Sequence, residues 1–95
     1  MGMERHEVPT VFVHGHAAPS DVGYVEDRLC AALHDTVVRY LVLRIDTVGG
    51  AAVEIEAGIA TGPIGARASG PSVRAAGDTC VGLLLQRLSP VGRAS

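Results

Sequence analysis

Three of the four histidines could together bind a metal ion or transfer a proton. His14 and His16 lie two residues apart, and His34 follows at a greater distance along the chain. Imidazole is a common zinc ligand, but this spacing matches no standard zinc pattern and neither cysteine lies near it. We therefore predict no metal site, and we interpret the histidines as ordinary surface or strand-end residues.

Two glutamates could supply paired carboxylates for general acid–base catalysis. Glu54 and Glu56 alternate with apolar residues, so both side chains project from one face of a predicted strand. Arg44 and Arg67 lie in the neighbouring predicted strands, where they can pair with carboxylates across the sheet. We favour this second interpretation, a solvated sheet face, over a catalytic pair.

No other motif predicts an enzyme. The segment VFVHGH, residues 11–16, is similar to the oxyanion loop of α/β-hydrolases, but no G-x-S-x-G motif follows and 95 residues are too few for that fold. The glycines of TVGGAA and ATGPIG lack the strand-to-helix setting of a phosphate-binding loop, so we interpret them as turns. The sequence therefore predicts a protein without catalytic activity, cofactor or small-molecule substrate.

The charge balance limits the kind of partner. The chain has eight arginines, no lysine and ten acidic residues, which gives a formal net charge of −2. Affinity that depends on broad phosphate neutralisation grows with the number of basic contacts, so this mode of nucleic-acid binding is disfavoured. A local basic patch stays open, and it requires that the arginines gather on one surface.

Length and cysteine usage indicate one small cytoplasmic domain. A chain of 95 residues closes one two-layer core but not a second. Cys30 and Cys80 have no CxxC spacing and are expected to be reduced. The segment MGMERHEVP lacks the apolar run of a signal peptide, and no segment approaches the roughly 20 apolar residues of a membrane span.

Two helices are predicted from apolar residues that recur at steps of three and four. Ser20 or Asp21 can cap the first helix, and Ser72 is the natural N-cap of the second. The second helix ends before Pro90, because proline cannot continue the hydrogen-bond ladder. The apolar stripes are Val22, Val25, Leu29 and Leu33 in the first helix, and Val73, Ala76, Cys80, Leu84 and Leu88 in the second.

Four strands are predicted from alternating apolar residues, at residues 10–14, 37–48, 53–59 and 64–69. The resulting order is β-α-β-β-β-α, in which a helical crossover lets the first two strands run parallel and short glycine turns make the rest antiparallel. We predict an α+β fold with a four-stranded sheet and two helices packed on one face. The single domain would span residues 10–89, with a lead-in at 1–9 and a tail at 90–95.

Several short motifs recur in this order in one known protein family. The first strand ends in Gly15, and the second contains LVLRID, residues 41–46. The first helix carries an aromatic-x-x-x-basic-apolar pattern at Tyr24, Arg28 and Leu29. The last strand and helix match A-x-G-x-D-x-Y-A-A-I-D at Ala68, Gly70, Ala75, Ala76 and Asp78, with Ser72 replacing the capping Asp. From Val11 to Leu88 the chain resembles the ribosome hibernation-promoting factors, also called ribosome-associated inhibitors or sigma-54 modulation proteins.

The resemblance implies a non-enzymatic, cytoplasmic factor that binds the decoding region of the small ribosomal subunit. Such a factor overlaps the sites of tRNA and mRNA and silences ribosomes during dormancy or stress. In this family basic side chains contact ribosomal RNA, which here would be 16S rRNA. The arginines that the resemblance proposes for these contacts are Arg28 and Arg44, and more loosely Arg67 and Arg87. Arg74, although it departs from the family pattern, adds a further positive charge and joins the candidates.

The chain departs from the family pattern mainly in the second helix. Arg74 stands in place of an aromatic residue, Gly77 in place of Ile, and Leu83 in place of a basic residue, while Glu26-Asp27 stand where lysines are usual. These changes mostly remove positive charge or core volume. The chain therefore resembles a divergent member, similar to the actinobacterial dormancy-associated translation inhibitors, with reduced expected affinity for RNA.

A second function is suggested by the flanks of the last helix. Leu83 and Leu85 extend its apolar stripe from the usual width of about 100° to roughly 200°. Either this helix is unusually buried or its flanks contact another chain. The alternative to ribosome binding is therefore a protein–protein interaction or homodimerisation module that uses these two leucines.

Overall fold

Six secondary-structure elements follow one another in the computed structural model, which describes residues 8–88. They are β1 (Thr10–His14), α1 (Pro19–Ala32), β2 (Tyr40–Asp46), β3 (Ala51–Ile59), β4 (Gly62–Gly70) and α2 (Val73–Leu88). The predicted order β-α-β-β-β-α is confirmed. Residues 1–7 of the predicted lead-in and the whole predicted tail lie outside the described residues. Within residues 8–88, no helix is long and apolar enough to cross a membrane.

The strands form one mixed sheet in the order β1-β2-β3-β4. β1 pairs parallel with β2, while β2–β3 and β3–β4 are antiparallel, as the helical crossover and the glycine turns predict. Because side chains alternate along a strand, every second residue faces the helices and the others form an open sheet face. In β2 the buried residues are Leu41, Leu43 and Ile45.

Both helices pack on the same face of the sheet and enclose one apolar core. The largest side chains that are fully buried come from both helices and the two central strands. They are Leu29, Leu43, Ile45, Ile55, Leu84, Val25, Val53 and Cys80. The core is thus built from aliphatic residues, and its packing fixes how α1 lies against α2.

The helix termini agree only in part with the prediction. The Ser72 Oγ accepts a hydrogen bond of 3.1 Å from the Ala75 N–H, so the predicted cap of α2 is confirmed. The predicted cap of α1 was wrong, since Ala18 occupies the N-cap and makes no side-chain hydrogen bond. Pro19 begins this helix instead, because its fixed φ suits the first helical position and it lacks the N–H that would stay unpaired.

The second strand is shorter than predicted. β2 begins at Tyr40 rather than at Val37, whose side chain is 84% exposed. Its neighbour β3 ends at Ile59, one residue beyond the partner of Tyr40. The Arg39 N–H still donates to the Gly58 carbonyl at 2.7 Å, but residues 37–38 lie beyond the end of β3. At the other end, the Asp46 carboxylate accepts the Val48 N–H at 2.9 Å and turns the chain out of the sheet.

Candidate functional site

Five polar side chains meet between the two helices, and we call them the interhelical cluster. Asp21, Tyr24 and Arg28 lie on one side of α1, and Arg74 and Asp78 face them from α2. The Arg28 Nε donates to the Asp78 carboxylate at 3.0 Å, and the Arg74 Nε donates to the Asp21 carboxylate at 2.7 Å. The Tyr24 hydroxyl donates to Asp78 at 3.0 Å, and the Arg74 guanidinium lies 4.7 Å from the centre of the Tyr24 ring.

The interhelical cluster has no formal net charge, because each arginine is paired with an aspartate. The two arginine side chains are nevertheless about half exposed, at 53% for Arg28 and 49% for Arg74. A guanidinium carries five N–H donors, and these hydrogen bonds use only the Nε group of each. The terminal amino groups therefore remain able to donate to a phosphate at the surface.

The cluster also gives a physical meaning to the motifs that carried the family resemblance. Tyr24, Arg28 and Asp78 were identified as separate motif positions, and the structure brings all three into contact. Sequence analysis missed the pairing of Arg74 with Asp21. The only local signal for it is that Asp21 and Tyr24 lie one helical turn apart, on the same side of α1 as Arg28.

Two further arginines lie on the open sheet face, away from the helices. The strand register aligns Phe12, Arg44, Glu54 and Arg67 in one row across all four strands. The predicted placement of Glu54 between two arginines is confirmed by this register. The Arg44 guanidinium lies 5.6 Å from the centre of the Phe12 ring, and the row lines a shallow depression of about 220 Å³.

The last candidate, Arg87, lies beside β4. Its guanidinium donates a hydrogen bond to the Gly65 carbonyl, and with Arg67 it lines a second shallow depression of about 370 Å³. Within residues 8–88 the arginines therefore do not gather on one surface, as a single basic patch would require. Arg28 and Arg74 lie on the helical side, whereas Arg44, Arg67 and Arg87 lie on the sheet side and along its edge.

The histidines within residues 8–88 do not converge on one site. His14 lies at the carboxyl end of β1, 3.4 Å from the Asp46 carboxylate, and His34 lies beyond the end of α1, 3.1 Å from Asp35. Among residues 8–88, no group of three potential ligands is placed to hold a metal ion. The hydrogen bond from the Val48 N–H lowers the pKa of Asp46 from its ordinary value, and the nearby His14 lowers it further.

The two cysteines differ in environment. Cys30 is exposed on α1, whereas Cys80 is buried on α2 and its thiol contacts the Ala66 carbonyl at 3.3 Å. Burial raises the pKa of the Cys80 thiol to about 11. Since the thiolate is the nucleophilic form, Cys80 is a core residue rather than a reactive group.

The two leucines on the flanks of α2 also differ. Leu83 is partly buried and packs against the core, whereas Leu85 is 39% exposed. Leu85 lines an open groove of about 520 Å³ together with Val37 and Leu88. Of the two residues proposed for a partner surface, only Leu85 presents a large apolar area to solvent.

Comparison with known proteins defines the class of fold. No model of a known protein family matches the chain, and no curated protein matches its sequence. The fold, however, is that of the N-terminal domain of Thermus thermophilus Protein Y, with a TM-score of 0.74 and 17% identity over 92% of this chain and 99% of that one.

A second solved structure is equally similar in shape. It is a ribosomal subunit interface protein from Coxiella burnetii, with a TM-score of 0.74 and 14% identity over 90% of this chain and 97% of that one. Both neighbours belong to the hibernation-promoting factor family that the sequence resembles. At these identities the likeness establishes a shared fold over nearly the whole of each chain.

Proposed function

We propose that this chain is a non-enzymatic ribosome-binding factor that occupies the small subunit and inhibits translation. The observation that carries this proposal is the likeness of fold, over almost the full length, to a protein Y domain and to a ribosomal subunit interface protein. The sequence motifs point independently to the same group of proteins, and three of their residues meet in the interhelical cluster. Such a factor would act in the cytoplasm, during stress or dormancy.

The helical side is the surface that we propose for contact with 16S rRNA. Arg28 and Arg74 present their terminal amino groups there, and the ion pairs to Asp78 and Asp21 hold both side chains in place. Phosphate contacts would position the domain without reading sequence, and inhibition would follow from occupation of the tRNA and mRNA sites. Because the aspartates cancel part of the positive charge and only a few phosphates are neutralised, we expect weak binding with a modest dependence on salt.

Co-sedimentation with purified small subunits tests this proposal. At low salt we expect the wild-type protein to pellet with the subunits, and at raised salt we expect it to remain in the supernatant, since counterions compete for phosphates. A parallel measurement with large subunits controls for unspecific binding to RNA. Failure to pellet with small subunits at low salt would rule out the proposed function.

A second candidate function is a protein–protein interaction or homodimerisation module on the same scaffold. The exposed Leu85, which lines the groove with Val37, favours it. If this flank of α2 joins two copies, Leu85→Lys should abolish a dimer that light scattering detects in the wild type. An association that is unchanged by Leu85→Lys excludes this surface, whether or not the chain binds ribosomes.

A further inference from the structure

The outer edge of β1 carries backbone groups that the sheet does not use. Among residues 8–88, β1 is the first strand in the order β1-β2-β3-β4, so within this part of the chain only β2 lies beside it. The His14 carbonyl accepts the Thr47 N–H at 2.9 Å, which directs His14 toward β2. Because backbone groups alternate along a strand, the N–H and C=O of Val11 and Val13 face away from the sheet.

The opposite edge of the sheet, at β4, is protected in ways that β1 is not. Pro63 has no N–H to offer, Arg67 places a charge on the strand, and Arg87 occupies the Gly65 carbonyl. These are the features by which proteins prevent pairing of an edge strand with another chain. β1, with the sequence TVFVH, contains no proline, lysine, arginine or carboxylate.

The side chains of β1 add apolar area to this free edge. Phe12 is 52% exposed on the open sheet face, and Val13 is 43% exposed on the face that carries the helices. β-Branched and aromatic residues are those that pair best across adjacent strands. The edge thus combines unpaired backbone groups with side chains suited to a neighbouring strand.

We propose that β1 pairs antiparallel with β1 of a second copy of this chain and joins the two sheets into one of eight strands. The arrangement is self-complementary when Phe12 faces Phe12 of the other copy. Val11 of each copy then lies opposite Val13 of the other, and each such pair exchanges both of its outward hydrogen bonds. A twofold axis passes between the two Phe12 residues, as a closed symmetric dimer requires.

The open sheet face supports the same register. Phe12 side chains in a pair without backbone hydrogen bonds approach closely, since the Cα atoms in such pairs are about 4.5 Å apart. Each ring already has the Arg44 guanidinium of its own copy on one side, 5.6 Å from its centre. In the dimer, the two Phe12 rings would lie between the two Arg44 guanidinium groups. The positive charges of the two arginines would therefore stay away from the twofold axis.

The first test is the mass of the full-length chain in solution, measured by sedimentation velocity with and without a charge at the edge. A single strand edge is smaller than a standard interface, so we expect a dissociation constant between about 1 μM and 1 mM. Phe12→Lys should be monomeric, because two lysines would face each other across the axis. Ser69→Lys adds the same charge on β4 and should dimerise like the wild type, and circular dichroism confirms that both variants fold.

The second test identifies the register. In a Cys30→Ser background, Phe12→Cys should form a disulfide-linked dimer on mild oxidation, because the expected Cα separation lies within the range of disulfides. Thr10→Cys, which would face His14 of the other copy, should crosslink at least tenfold more slowly. Equal crosslinking of both variants would contradict the proposed register.

Three results would overturn the proposal. The first is a wild type that is monomeric at about 1 mM, and the second is a dimer that persists in Phe12→Lys. The third is slow amide exchange of Val11 and Val13 in a monomer, which would indicate that residues 1–7 of the same chain pair with this edge. None of them depends on ribosome binding. A dimer sensitive to Leu85→Lys but not to Phe12→Lys would assign association to α2 instead.

Discussion

The Asp46 carboxylate ends strand β2, and its ionisation links the stability of the protein to pH. It accepts the Val48 N–H at 2.9 Å and lies 3.4 Å from the His14 ring, at the carboxyl ends of β1 and β2. The hydrogen bond from Val48, and then the charge of His14, lower the pKa of Asp46 from its ordinary value of 3.8. The ionised form is therefore favoured in the folded state over the unfolded state.

This shift predicts a loss of stability in acid. A carboxyl whose pKa is lower in the folded state stabilises the protein at pH values above its unfolded pKa, and this contribution disappears as the pH falls through the lower folded pKa. In Asp46→Asn, the amide oxygen still accepts the Val48 N–H but cannot titrate. We expect urea unfolding to show a smaller loss of free energy between about pH 5 and about pH 2 than in the wild type.

The matched control for this prediction is Asp27→Asn, which removes an exposed carboxylate on α1. A change in pH dependence that is larger in Asp46→Asn than in Asp27→Asn is therefore specific to the turn and not a general effect of removing one charge. Equal pH dependence of Asp46→Asn and the wild type would show that the turn does not contribute to acid unfolding.

At the scale of the elements, the packing of α1 against α2 depends on a glycine. The sequence suggested that Gly77 removes core volume from α2, but the structure gives it a different role. A Cβ at Gly77 would lie 2.6 Å from a methyl group of Val25, which is fully buried on α1. Gly77 therefore lets the two helices approach closely, and this approach brings together the aspartates and arginines of the interhelical cluster.

Two glycines of the same helix should consequently respond in opposite ways to alanine. In Gly77→Ala, overpacking costs about 1–3 kcal/mol and the gain in helix propensity returns about 1 kcal/mol, so we expect a net loss of up to about 2 kcal/mol. In Gly82→Ala the new Cβ meets no atom within 4 Å, and we expect a gain of about 0.5–1 kcal/mol. Chemical denaturation measures the change in the free energy of unfolding for both variants. If both variants were stabilised or both destabilised, the result would contradict this account of how α1 crosses α2.

At the scale of the whole molecule, the sheet separates two groups of arginines. Arg28 and Arg74 lie on the helical side, and Arg44 and Arg67 lie on the open sheet face. A rigid domain of this size can press only one of these sides against a flat RNA surface. Since the net charge is −2, the proposed binding to RNA depends on the arrangement of a few arginines and not on a general positive field.

Double variants distinguish the two sides in the ribosome-binding measurement. Arg28→Ala with Arg74→Ala should lower the slope of log affinity against log salt by about 0.7–0.9 for each phosphate that the variant no longer neutralises. Arg44→Ala with Arg67→Ala removes the same charge from the sheet side and should leave the slope unchanged. An equal decrease of the slope in both double variants would contradict the assignment of the helical side.

Local spacing was sufficient to predict the elements and their order. Alternation in β2 and β3 and the steps of three and four in α2 are properties of short segments, and each segment buries one face whatever lies opposite. The same spacing placed Arg44, Glu54 and Arg67 on one face of the sheet, because register follows from the glycine turns. The N-cap at Ser72 was predictable for the same local reason.

The tertiary structure decided everything that depends on how distant segments meet. Arg28 pairs with Asp78 across 50 positions of sequence, and Arg74 pairs with Asp21 across 53. Local spacing can place each residue on a face of its helix, but it cannot show which residues pair across the interface. Whether an arginine is free or paired depends on the close crossing of α1 and α2. The sequence by itself determined the face that most strands and helices bury, because periodicity is local, and its short glycine turns indicated which strands pair. Which edge of the sheet is left open, and which side carries the available arginines, follow only from long-range packing.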